Sequence, residues 1–104
     1  MFPMGQFEDR FREILDALDA IDAKGGAAED LEELNAEFED ALFMLTETDL
    51  TDDGWRDEAL DAADEFDSLC ADYRALAGEI PQVSEPAGRL GMLVELFRGS
   101  LSEG

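Results

Sequence analysis

Apolar residues recur every third or fourth position along most of the chain, and this spacing constrains the fold more than any other feature. Phe7, Phe11, Ile14, Leu18 and Ile21 form one such series, and Leu31, Leu34, Phe38, Ala41 and Leu45 a second. A third runs through Trp55, Ala59, Ala62, Phe66, Leu69, Tyr73, Leu76 and Ile80, and a fourth through Ala87, Leu90, Val94, Phe97 and Leu101. An α-helix turns once in 3.6 residues, so each series lies on one helical face. No stretch alternates with period two for long enough to read as a strand.

Local chemistry predicts where these helices begin and end. Gly25-Gly26 is placed to stop the first helix, with Lys24 in its last turn against the negative end of the dipole. Glu29 and Asp30 suit the first turn of the second. Thr51 is a suitable N-cap for the third, with Leu50 and Trp55 spaced as a hydrophobic staple. Pro81 halts that helix near Ile80; Ser84 caps the fourth, and Pro86 is tolerated in its first turn. The expected helices cover about 5–23, 27–47, 52–80 and 85–101. The expected fold is all-α: one domain over 1–104, an antiparallel, up-down-up-down four-helix bundle, its core completed within the chain or by dimerisation. The third helix would be about 43 Å long, longer than the others, so that one end overhangs or a second protomer covers it.

Composition narrows the function. The chain has 104 residues, of which 28 are Asp or Glu and 7 Lys or Arg, with no His and one Cys; its formal net charge is −21. Its 45% hydrophobic content is too high for a disordered acidic tail. Without histidine, Ser-His-Asp triads, Cys-His dyads and the usual zinc sites are excluded within the chain. Direct nucleic-acid binding is not expected, because phosphate contacts need Lys and Arg. The longest apolar run, Ala41 to Leu45, is far too short to span a membrane, and the N-terminus has no signal-peptide pattern. A lone Cys70 fits a reducing compartment, so a cytoplasmic location is expected.

The charge is segregated. Residues 1–85 hold all of the excess, because Glu95 and Glu103 balance Arg89 and Arg98 in the remainder. The densest field runs from Asp52 to Asp72, with Glu58, Glu65, Asp72 and Glu79 on one flank of the third helix and Asp57 and Asp64 beside them. Over about 31 Å of helix this is close to the charge spacing of one DNA strand, about 3.4 Å. The candidate acidic partner-binding set is Asp57, Glu58, Asp61, Asp64, Glu65 and Asp72. The fourth helix, by contrast, is apolar around most of its circumference, which predicts either the central helix of the bundle or a subunit interface. Phe43 and Met44 lie off the seam of the second helix and call for cover from the fourth helix or from another chain. Phe43, Met44, Met92, Leu93 and Leu96 are the candidate apolar interface.

Three motifs touch on chemistry. Asp49, Thr51, Asp53 and Gly54 resemble the first half of an EF-hand calcium loop, but Arg56 and Leu60 stand where that loop has an apolar residue and a bidentate Glu. These residues therefore read as a helix N-terminus. Asp67-Ser68-Leu69 resembles the attachment site of acyl carrier proteins, yet Ser68 falls inside an unbroken heptad pattern. Cys70 falls beside the seam among alanines and reads as a small buried hydrophobe. No nucleophile–base pair is visible, so neither enzymatic activity, cofactor nor metal is expected.

Like charges at this density destabilise a compact state. Three causes are open: a basic partner, a salt-rich cytoplasm, or a solvated surface without specific meaning. In charge and size the chain is similar to small phage-encoded inhibitors of restriction and CRISPR systems. That likeness implies a non-enzymatic binding protein that covers the basic groove of a nucleic-acid-binding protein. The alternative is a structural or adaptor subunit forming a helical homodimer, with acidity serving solubility or a high-salt cytoplasm.

Overall fold

The computed structural model describes residues 2–103, and the side chain of Glu103 lies outside that description. Four α-helices form in chain order: α1 (Met4–Asp19), α2 (Gly26–Thr46), α3 (Trp55–Leu76) and α4 (Ser84–Glu103), with a 3-10 turn at Pro81–Val83 before α4. They pack as a helical bundle in which α1 lies against α2, α2 against α3, α3 against α4, and α4 back against α1. The molecule measures 45 × 20 × 18 Å. The registers across the seams are read from residue pairs: Asp19 meets Asn35, Asn35 meets Tyr73, and Arg98 meets Asp64.

The four apolar series meet at the centre. Phe11 of α1 touches one aromatic ring from each other helix: Phe66 stacked at 4.1 Å between centroids, Phe97 at 5.7 Å and Phe38 at 6.5 Å. All four rings are fully buried, as are Leu18, Leu45 and Leu90. Each such side chain contributes roughly 1.5–3 kcal/mol by leaving water. Tyr73 is buried too, but Trp55, expected in the core, is half-buried at its edge, 5.2 Å from Phe2 and under the Arg56 guanidinium. α4 approaches α3 closely at Gly91, where an added Cβ would sit 2.9 Å from Arg74 Nη2 and 3.2 Å from Cys70 Sγ.

The helix ends depart from expectation in ways that share a cause. α1 stops at Asp19 rather than near residue 23, and Lys24 lies in the connection. Gly25, with φ of +73°, serves as the N-cap of α2 instead of closing α1; a residue with a Cβ is disfavoured there. Thr51 does not cap α3. Its amide and hydroxyl both donate to Asp49 Oδ1, at 2.9 and 2.7 Å, and the helix opens three residues later behind Gly54. α3 ends at Leu76, where the amides of Gly78 and Glu79 turn to carbonyls three residues back, and Ile80 is extended ahead of Pro81. Its 22 residues span about 33 Å, so the expected overhang does not arise. Ser84 is already helical, running on from the 3-10 turn, and so is no N-cap. At these ends a local hydrogen bond or turn displaced the boundary and left Ile21 and Ile80 outside the helices, while the seam residues within them kept their faces.

Candidate functional site

One polar chain interrupts the apolar interior. The Tyr73 hydroxyl donates to Asn35 Oδ1 at 2.7 Å, and Asn35 Nδ2 donates to Asp19 Oδ1 at 3.0 Å. Asn35 is the one buried polar residue among those described, apart from the phenol it meets. Burial, followed by the fields of Asp19 and Glu37, pushes the Tyr73 phenol far above its usual range, so it stays neutral and keeps its proton for Asn35. These bonds tie α1, α2 and α3 together beneath the surface. The apolar spacing gave no sign of them, because Tyr73 occupies an ordinary seam position.

Outside this interior the charges separate sharply. The α2–α3 seam opens at one end on Asp30, Glu33, Asp72 and Glu79, and at the other on Glu47, Glu58 and Asp61. Glu65 lies between them, seven residues from both Glu58 and Asp72 on the same side of α3, and Glu37 is close enough to perturb Tyr73. Two rows of carboxylates thus flank the seam, one from each helix. No arginine lines either opening.

The arginines stand elsewhere. α2 has none. Of the two on α3, Arg56 reaches away to the Leu101 carbonyl at 2.6 Å, and Arg74 lies against Gly91 of α4. Arg98 of α4 binds Asp64 and also approaches Asp67 at 3.9 Å, while Arg12 of α1 approaches Glu39 at 3.9 Å. Arg10 and Arg89 line a groove between α1 and α4.

The six acids expected on α3 are all exposed, but they do not form a single row. Glu58, Asp61 and Asp72 border the α2 seam, whereas Asp64 turns to the α4 side, where Arg98 partly neutralises it. Asp57 is exposed near the start of the helix. The DNA-like spacing along α3 alone therefore breaks up: Asp52 and Asp53 precede the helix, and Asp64 and Asp67 face Arg98. The second row comes from α2, whose acids the charge pattern along α3 does not reveal.

The apolar set also divides. Phe43 and Met44 are exposed at the α2–α3 seam beside Glu47, Glu58 and Asp61, and α4 does not cover them. Met92 and Leu96 are exposed on α4. Leu93, expected at the interface, is buried as part of the α1–α4 packing. α4 is therefore one of four peripheral helices and not the central one, and its circumference is only partly covered.

The chemical motifs resolve simply. Asp49 spends its carboxylate on Thr51, whose two hydrogen bonds hold the Asp49 pKa below the usual carboxylate value. No group of three His, Cys, Asp or Glu converges as metal ligands among the described residues. Ser68 is exposed within the body of α3. Cys70 is buried, with its thiol donating to the Ala87 carbonyl at 3.3 Å. Burial raises its pKa, Arg74 opposes the rise and Asp67 adds to it. Among the described residues no helix is long and apolar enough to cross a membrane. No protein-family model, curated protein or solved structure matches the chain.

Proposed function

We propose that the chain is a non-enzymatic binding protein whose α2–α3 face occupies the basic groove of a nucleic-acid-binding protein in place of phosphates, as an inhibitor of the anti-restriction or anti-CRISPR type. The observation that carries this reading is the separation of arginine from the α2–α3 seam. A surface acidic only for solubility has no need to keep its cations off one face. Here α3's own arginines turn toward α4, and the carboxylates along the seam are left without a counter-charge among the residues lining it. Aligned charge of one sign raises the local potential and speeds encounter with a surface of the opposite sign. Exposed Phe43 and Met44, set among Glu47, Glu58 and Asp61, add an apolar contact of the kind that holds a complex once formed.

Capture from a lysate at low ionic strength tests this, with the native chain compared against a fourfold variant. Glu58→Lys, Asp61→Lys, Glu65→Lys and Asp72→Lys alter exposed positions only, so the fold is expected to persist by circular dichroism. The native chain should retain a basic nucleic-acid-binding protein and release it when nucleic acid is added. The variant should retain none. Equal capture by both chains removes the electrostatic mechanism.

A further inference from the structure

The groove between α1 and α4 is the counterpart of the acidic seam. Its floor contains Ile14 and Leu93, and Met92 and Leu96 stand on it at 69% and 56% exposure. Its charged residues are Arg10, Arg89 and Glu13, a small positive excess on a molecule of net charge −21. Single exposed apolar side chains are commonplace, but two neighbours over an apolar floor form a patch suited to burial.

We propose that this groove is the interface of a homodimer, its occupant being the α1–α4 groove of a second copy. Charge selects the occupant. Two chains of this net charge repel wherever carboxylates meet carboxylates, so a second copy docks best where the lining carboxylates are outnumbered by arginines. The groove meets that condition. The other exposed apolar pair, Phe43 and Met44, does not, because Glu47, Glu58 and Asp61 would face the same three residues of the partner. A two-fold contact needs a self-complementary patch. Here each Glu13 has Arg10 and Arg89 of the partner subunit as available counter-charges, and Met92 and Leu96 supply the apolar centre. Head-to-tail contact between the groove and the acidic seam is also attractive in sign, but it builds a ring or an open chain instead of a two-fold pair, and the repulsion between subunits recurs with every copy added. A closed dimer meets that repulsion once and leaves both acidic seams facing outward.

Light scattering and sedimentation equilibrium on the full chain test the proposal without any partner, so its outcome is independent of the proposed function. The expected mass is twice 11.5 kDa, approached more fully at about 1 M salt than at about 0.1 M, because screening removes repulsion and spares apolar contact. Met92→Glu with Leu96→Glu should halve the mass and leave the helical circular dichroism unchanged, since both positions are exposed. Phe43→Glu with Met44→Glu should remain dimeric. A native chain that is monomeric at both salt concentrations overturns the proposal. So does a mass that keeps growing with concentration, and so does dissociation by the Phe43 and Met44 changes but not by the Met92 and Leu96 changes.

Discussion

The α2–α3 and α1–α4 seams are made by the same three- and four-residue spacing, and each leaves two large apolar side chains in the open. They differ in charge. Carboxylates from both helices border the first, and no arginine does; two arginines and one glutamate border the second. What the apolar pattern makes equivalent, the placement of six arginines makes different. The positions that build this fold and the positions that distinguish its surfaces are therefore almost disjoint sets, and a substitution can alter one without the other.

Salt offers the largest separation between the two faces. Raising it from about 0.1 to about 1 M shortens the Debye length from about 10 to about 3 Å. Affinity of the acidic seam for a basic partner should fall on the order of tenfold or more, while self-association through the α1–α4 groove strengthens. Titration calorimetry and sedimentation on the same samples would read the two slopes. Slopes of the same sign would abolish the distinction.

Beneath the faces the contrast continues at smaller scale. The interior behind α2 and α3 is tied by Tyr73 and Asn35, whereas that between α1 and α4 is aromatic, with Phe7 and Phe97 5.0 Å apart. Tyr73→Phe leaves the Asn35 carbonyl oxygen without its donor, at a cost of about 1–3 kcal/mol in chemical denaturation. It should also flatten the alkaline limb of the stability profile. The phenol loses its proton near pH 10 when unfolded and well above that in the fold. Above pH 10 the folded chain therefore holds a proton that the unfolded chain has released, and stability falls as pH rises, by up to about 1.4 kcal/mol per unit. A native alkaline limb identical to that of Tyr73→Phe would show that the phenol is not held this way.

The smallest effect concerns the boundary between the faces. Arg98 holds Asp64 and approaches Asp67 in a largely exposed setting. Arg98→Gln should cost less than about 1 kcal/mol in thermal unfolding. Affinity for a basic partner should rise slightly, as two more carboxylates lose their counter-charge. A fall in affinity would mean that Arg98 itself touches the partner.

Much of this architecture was legible in the sequence. Phe11, Phe38, Phe66 and Phe97 were each placed on a seam by spacing alone, and they meet at the centre. Spacing states which face is buried but says nothing of where the backbone leaves the helix. That is why Thr51, bound by Asp49, and Gly25, in a left-handed conformation, misled the boundaries. Leu93 and Leu96 are three residues apart and alike in composition; only the position of α1 decides that the first is buried and the second exposed. The role of α2 as the second carboxylate row was hidden for a related reason. Its acids are as dense as those of α3, seven in 21 residues against seven in 22, but nothing in either helix's own spacing says that the two rows lie side by side.

The contact of Cys70 with Ala87 has a practical corollary. It is the only sulfhydryl in the molecule, shut between the third and fourth helices. A thiol reagent can reach it only after those two helices part. The rate of its labelling in native buffer therefore reports the openings that part that joint, readable without adding a probe.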